Sequence, residues 1–369
     1  MMHAQLEVIL VAVATSIACA VAGVFLVLRR MALMSDAISH AILLGIVIGF
    51  LIGGDLSSPL LIIGAALIGV VTAGLTETIK RTGLVKEDAA IGLVFPLLFS
   101  IGVILISRLS GDVHLDTDSV LLGEIAFAPF RRLQIAGLDF GPKSLAVMIA
   151  ILLMNAAFII TFFKELKLST FDPSLAAALG FAPWLIQYLL MGIVSLTAVG
   201  AFDAVGSILV VALMIAPPAG AYLLTDRLSA MIWIAAAVGA LSAIGGYWIA
   251  DLLDVSIAGS MAAACGAIFL LIYLFAPQSG LFSARRRRTR QRLEYAVGML
   301  LIHLRNHENQ PEADYERSPA HLENHFRWEP VFARKVVKRA ADLGLIEDQT
   351  EKLSLTPNGR HAAGELITR

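Results

Sequence analysis

Residues 145–163 read LAVMIAILLMNAAFIITFF, in which Asn155 and Thr161 carry the only polar side chains. At about 1.5 Å per helical residue the run is about 28 Å long, close to the thickness of a hydrocarbon layer of about 30 Å. A backbone in that solvent must satisfy its own hydrogen bonds, so the run is read as a spanning helix. The rest of the chain follows the same rule. Of 369 residues, 58% are hydrophobic and 15% charged, against roughly 25% charged in a soluble globular domain. That excludes an ordinary water-soluble enzyme. The expected fold class is an all-α polytopic membrane protein with a small α+β soluble domain at its C-terminal end.

Outward from that run the pattern recurs at Glu7–Leu28, Met31–Gly53, Ser57–Ile79, Asp88–Ser107, Ser144–Phe163, Phe181–Gly200, Ala204–Leu224, Ser229–Ala250 and Ser256–Ala276, about nine spans in all. If each one crosses, Arg29, Arg30, Lys80, Arg81, Lys86, Lys164, Lys167, Arg227 and the run Arg285 to Arg288 share one side. The excess of cations makes that side cytoplasmic. Arg108, Arg131, Arg132 and Lys143 fall on the other. Ser119 to Phe130 is too short to cross and reads as a re-entrant or broken helix. No basic stretch precedes the first apolar run and no small-residue cleavage site closes it, so it is expected to be a retained span. Cys19 and Cys265 lie inside apolar runs without CxxC spacing and read as small packing residues.

Asp36 and His40, in MSDAISHAILLGIVIGF, are four residues apart and share one helical face, about 40° apart. A carboxylate in lipid costs several kcal/mol, so an intramembrane Asp beside a His points to a substrate or proton site. Carboxylate plus imidazole is a donor set for divalent manganese, iron or zinc. The alternative is that Asp36 caps the helix and His40 bonds a backbone carbonyl. Asp203, between two apolar runs, reads either as a second ligand or as an N-cap before Ala204. Pro217 and Pro218, with Gly200 and Gly206 nearby, predict a broken helix beside a pathway. His114, Asp116 and Asp118 read as outer-mouth ligands or as solvated loop residues, and Glu124 as a group facing the pathway. Phe171-Asp172-Pro173 followed by Ser174 to Gly180 predicts a short inner helix, with Asp172 as N-cap, Pro173 first and Gly180 past its end. The chain contains no GxxxxGK[ST] loop and no HExxH.

The segments RRMALMSDAISHAILLGIVIGF, FDPSLAAALGF and SLTAVGAFDAVGSILVVALMIAPPAGAYLL, in that order, resemble the permease subunits of bacterial ABC importers for manganese, zinc and ferrous iron. The resemblance runs from Glu7 to Pro277. The family's second-span motif usually reads Gly-Asp-Ala-x-Ser-His; here Ser35 replaces the glycine. The resemblance implies that Asp36 and His40 are the metal ligands at the midplane of the pathway. It also implies that the inner helix, through Phe171, Asp172, Pro173, Ala177 and Gly180, is the coupling helix seated in a separate ATPase subunit. The Asp203 stretch and HLDTDSVLLGE look closer to the manganese and iron branch. The implied cargo is Mn2+, Fe2+ or Zn2+, with no permanently bound cofactor. The implied partners are the ATPase, an extracytoplasmic metal-binding protein, a second permease subunit and the lipid bilayer. A proton-coupled secondary metal carrier and a membrane-tethered metal-responsive regulator are the rival readings.

Residues 1–284 are expected to form the transmembrane permease domain and 285–369 a cytoplasmic winged-helix-like domain. From Arg285 on there are 16 basic and 12 acidic residues, net +4, which leaves 12 basic and 17 acidic before it, net -5. The arginine run reads first as an anchor to anionic lipid. Helices over Arg292–Arg305, Ser318–Phe326 and Glu329–Leu343, two short strands, a turn at Thr356–Arg360 and a last helix resemble the winged helix of metal-dependent repressors. Arg334, Lys335, Lys338 and Arg339 would be its DNA contacts, with a regulatory or ATPase-contacting role favoured over nucleic acid. His303 with His307, and His321 with His325, each share a helical face and could sense metal, although solvated surface histidines give the same pattern.

Overall fold

A computed structural model describes residues 2–54, 58–109, 125–135, 138–308, 315, 318, 321, 325–349 and 352–368. His114, Asp116, Asp118 and Glu124, expected as outer-mouth ligands and a pathway group, lie outside the described residues, as does most of Ser318–Phe326. Among the described residues, nine helices are long and apolar enough to cross a membrane. They are α1 (Met2–Leu28), α2 (Leu33–Gly53), α3 (Pro59–Arg81), α4 (Glu87–Leu109), α5 (Lys143–Thr161), α8 (Pro183–Val205), α9 (Ser207–Leu224), α10 (Leu228–Leu253) and α11 (Ile257–Phe275). Two short helices, α6 (Phe163–Phe171) and α7 (Pro173–Ala178), stand between α5 and α8.

The bundle is organised around α1, whose apolar window is 78% buried against 22% for that of α11. It packs on α5, α8, α9 and α10. Its inward positions are mostly small, among them Ala12, Ala18, Cys19, Ala20 and Ala22, and small residues let helix backbones approach where lipid supplies no hydrophobic drive. A polar contact ties three helices together: Asn155 on α5 donates to the Ala18 carbonyl of α1 at 3.3 Å and to Thr197 Oγ1 of α8 at 3.1 Å. The α2–α3 pair also approaches backbone to backbone. A Cβ at Gly45 would stand 2.4 Å from the Gly64 carbonyl oxygen, and one at Gly49 2.5 Å from that of Leu60.

One expectation is corrected here. The helix carrying Pro217 and Pro218 is not broken at them; α9 is continuous from Ser207 to Leu224, and the chain breaks at Gly206 instead, with φ 83°. Proline at 218 deprives the Met214 carbonyl of its helical donor. That carbonyl lies against Gly23 of α1, where a Cβ would be 2.0 Å from it, so tertiary packing covers the freed group. Of Ser119–Phe130, the described part is a 3-10 helix over Ile125–Phe130 with Ile125 and Ala128 buried. It leads into an antiparallel hairpin, β1 (Arg132–Ile135) with β2 (Leu138–Pro142).

By contacts the chain divides into two compact units, Met1–Gly280 and Leu281–Arg369. The second holds α12 (Leu281–Asn306), α13 (Pro330–Asp342), the antiparallel pair β3 (Ile346–Gln349) and β4 (Lys352–Leu355), and α14 (Pro357–Thr368). The arginine run lies inside α12. Its core joins Leu300, Leu304, Val336, Ala340, Leu353 and Ala363. The turn expected at Thr356–Arg360 is the first turn of α14: Thr356 Oγ1 accepts from Gly359 N at 3.0 Å. Threonine at the cap with proline after it starts a helix more readily than it makes a turn.

Candidate functional site

The chain leaves α1 through Arg29 and Arg30, where Arg30 takes φ 60° and Met31 N donates to Leu26 O at 2.8 Å. This tight turn starts α2. Its N-cap is Ala32, which offers no side-chain bond, and Asp36 stands in the first turn without capping it. The capping alternative for Asp36 therefore fails. His40 follows one turn later, so both residues occupy the half of α2 nearer the arginine turn.

His40 Nε2 is 3.4 Å from Asp36 Oδ1, and the two side chains are 36% and 41% exposed. On α4, Phe95 and Phe99 place their rings 5.8 and 6.0 Å from the imidazole. The pair thus has an aromatic wall on one side and is otherwise half-exposed. Ser35 and Ser39, about 100° round the helix from the pair, are buried: Ser39 donates to the Ser35 carbonyl at 2.9 Å, and Ser35 to Met214 Sδ at 3.1 Å. The residue that replaces the family's glycine therefore contacts α9 and not the Asp36 face. Among the described residues no group of three or more His, Cys, Asp or Glu is arranged to hold a metal ion. Within Met1–Gly280 the candidate is therefore the two-residue pair.

Asp203 is not an N-cap, because α8 runs through it to Val205. It lies in the last turn, 66% exposed, with Arg131 Nη1 3.6 Å from its carboxylate. The structure does not join it to Asp36 and His40.

Between α6 and α8, α7 forms over Pro173–Ala178 with Asp172 Oδ1 accepting from Leu175 N at 2.9 Å and Pro173 first. Gly180, at φ 87°, closes it in the left-handed conformation that glycine adopts without strain. Phe171, Leu175 and Leu179 are 59%, 46% and 59% exposed, Ala177 is exposed, and Ala176 is buried.

Arg29 is the residue that sequence reasoning missed, since a loop arginine ordinarily faces water. Its Nε donates to Thr170 Oγ1 of α6 at 3.2 Å and its Nη1 to Gln187 Oε1 of α8. Gln187 also donates to Met31 Sδ at 3.1 Å. Burial pulls the Arg29 guanidinium down to about 10. One side chain thereby links the α1–α2 turn to the element that leads into α7.

In the second unit, Arg334, Lys335 and Lys338 are exposed on α13 and Arg339 is half-buried. His303, His307, His321 and His325, two separate pairs in sequence, come together.

Residues 1–276 match the ABC 3 transport family. The chain belongs to that family. It is 47% identical over 354 residues, 96% of each chain, to the zinc transport system membrane protein TroD of Treponema pallidum (strain Nichols). It is 46% identical over 289 residues to the manganese transport system membrane protein MntD of Bacillus subtilis (strain 168), covering 78% of this chain and 98% of MntD. MntD is therefore matched almost end to end with part of this ABC 3 chain left over, whereas the TroD match runs on through the second unit. A solved structure, PsaBC from Streptococcus pneumoniae in complex with Fab, superposes with a TM-score of 0.61 at 30% identity, covering 74% of this chain and 92% of that one.

Proposed function

We propose that this ABC 3 family chain is the permease subunit of an importer that carries divalent transition metal ions, manganese, ferrous iron or zinc, into the bacterial cytoplasm. The observation that carries the reading is the Asp36–His40 pair on α2, half-exposed and 3.4 Å apart. A carboxylate oxygen and an imidazole nitrogen at that distance can share one ion, which keeps water or donors from a second permease subunit in its other positions. Two protein ligands hold a passing ion more weakly than a closed four-ligand site, as transport requires.

An external binding protein delivers the ion and a separate ATPase subunit supplies the work. α7, with its exposed Phe171, Leu175 and Leu179, is the docking element for that ATPase. Movement of α7 passes through α6 and Thr170 to Arg29, and from Arg29 through the tight turn to the first turn of α2, where Asp36 sits. Hydrolysis can then alter the pair's surroundings without the ATPase touching it. The unit after Gly280 is a cytoplasmic winged-helix-like module, read from two helices ahead of a two-stranded hairpin and a closing helix. It acts on the transporter and not on DNA.

The test is ATP-driven uptake of Mn2+, Fe2+ and Zn2+ into proteoliposomes holding the whole complex. Asp36→Asn and His40→Gln are each expected to lower uptake at least about tenfold with assembly unchanged. Normal uptake in both variants rejects the ligand assignment. Uptake that persists without the ATPase subunit and collapses with an uncoupler rejects the ATP-driven reading.

A further inference from the structure

We propose that His303, His307, His321 and His325 form a second metal site, separate from the membrane pair, which takes one zinc-class divalent ion. This goes beyond the transport reading and does not depend on it. His303 and His307 lie at the end of α12, and His321 and His325 some eighteen residues further on. Folding brings the pairs together. The ring of His303 is 4.7 Å from that of His307, 4.9 Å from that of His325 and 6.0 Å from that of His321, and the rings of His321 and His325 are 5.3 Å apart.

These spacings can be set against what an ion needs. An imidazole nitrogen sits about 2.0–2.1 Å from zinc, which puts each ring centre roughly 3.2 Å from it and neighbouring centres of a tetrahedron about 5.3 Å apart. The four distances bracket that value. As they stand, the described side chains are not arranged to hold an ion, so binding requires the rings to turn about their Cβ–Cγ bonds while their centres stay in place.

The surroundings hold those centres. His303 is buried, at 6% exposure, in the helix face that carries Leu300 and Leu304. Phe326 meets His303 edge-on at 5.3 Å and His325 at 5.0 Å, and stacks on Trp328 at 4.5 Å. Trp328 in turn meets Phe332 of α13, over which the Arg292 guanidinium of α12 lies at 4.6 Å. This aromatic ladder fixes the His325 end of the cluster to both helices. The nearby acid Glu308 is engaged by Arg360 Nε at 2.6 Å. An all-imidazole set selects zinc, nickel, copper(II) or iron(II) over manganese, magnesium and calcium, which prefer oxygen donors. Occupancy would tie the end of α12 to residues 321 and 325 and make the unit responsive to metal.

The test uses the full chain in lipid nanodiscs, stripped of metal, with Zn2+ titrated against a chromophoric chelator and Co2+ added as a spectroscopic probe. An Asp36→Asn, His40→Gln background removes the membrane pair. One tight Zn2+ is expected to remain in that background, with the visible absorption of tetrahedral Co2+. Adding His303→Gln with His325→Gln is expected to weaken Zn2+ on the order of 100-fold, and His307→Gln alone at least about tenfold. Unchanged affinity in these variants, no tight Zn2+ in the background, or tighter Mn2+ than Zn2+ each overturns the proposal. If circular dichroism shows that the buried His303 variant misfolds, the half-exposed His307→Gln and exposed His325→Gln variants decide alone.

Discussion

Replacing Arg29 by methionine separates coupling from stability, and the expected sizes follow from its surroundings. Its guanidinium donates to Thr170 and to Gln187. Hydrogen bonds from a charged donor contribute about 1.5–3 kcal/mol each, so the two together contribute about 3–6 kcal/mol. Burial also draws the guanidinium down to about 10. Against the bonds stands Nη2, buried with no hydrogen-bond partner, at a cost of about 1–3 kcal/mol. The two sides partly offset, leaving a net contribution of about 0–5 kcal/mol. Arg29→Met, which keeps length and apolar packing, is therefore expected to shift the melting temperature by only about 0–10 °C. Transport is expected to respond far more, because the bond from the α1–α2 turn to α6 is lost. In proteoliposomes holding the whole complex, ATP hydrolysis should continue while metal uptake per ATP falls at least about tenfold. Arg29→Lys should restore little, since an ammonium lacks the planar fork that reaches both acceptors. Unchanged uptake per ATP in Arg29→Met refutes the coupling role, and a melting loss well beyond 10 °C refutes the cancellation.

Three further outcomes are expected. Gly23→Ala places a Cβ 2.0 Å from the Met214 carbonyl oxygen, so α1 and α9 must separate; a loss of about 1–3 kcal/mol in unfolding stability is expected, and an unaltered denaturation midpoint in detergent contradicts the close approach. Asn155→Ala removes the bonds to Ala18 and Thr197; interhelical bonds of this kind in a bilayer are worth about 0.6–1.7 kcal/mol, so a loss above about 3 kcal/mol by steric trapping shows that the residue does more than bridge helices. In the β1–β2 hairpin, the Gly141 N–H, 2.9 Å from Asp139, and then Arg132 hold the Asp139 carboxyl below the usual carboxylate range. A depressed carboxyl adds stability that is complete above its unfolded value of about 3.9 and is lost as pH falls through the folded one. Pepsin nicking of the hairpin should therefore increase only below about pH 4, and Asp139→Asn should abolish that acid step; identical acid profiles for the two proteins contradict it.

The spans were readable from the chain because lipid solvent imposes a local rule. A run such as residues 145–163 has to bond its own backbone, whatever it packs against. The inner helix was readable for a similar reason, since Asp172, Pro173 and Gly180 act within one turn of themselves. The shared face of Asp36 and His40 follows from helical period alone. The exact ends of α8 and α9 did not follow, because the polar break at Asp203 falls inside the last turn of α8 while the chain turns at Gly206.

The membrane fold, the short helix α7 and the shared face of Asp36 and His40 are each set by interactions a few residues long. Tertiary structure alone decided which faces meet. It buried Arg29 against Thr170 and Gln187, which are 141 and 158 residues away. It set the carbonyl freed by Pro218 against Gly23 and paired Asp203 with Arg131. It also gathered two histidine pairs around one ring. Periodicity and capping carry no information over such separations; only the packing of helix on helix brings those atoms within bonding distance.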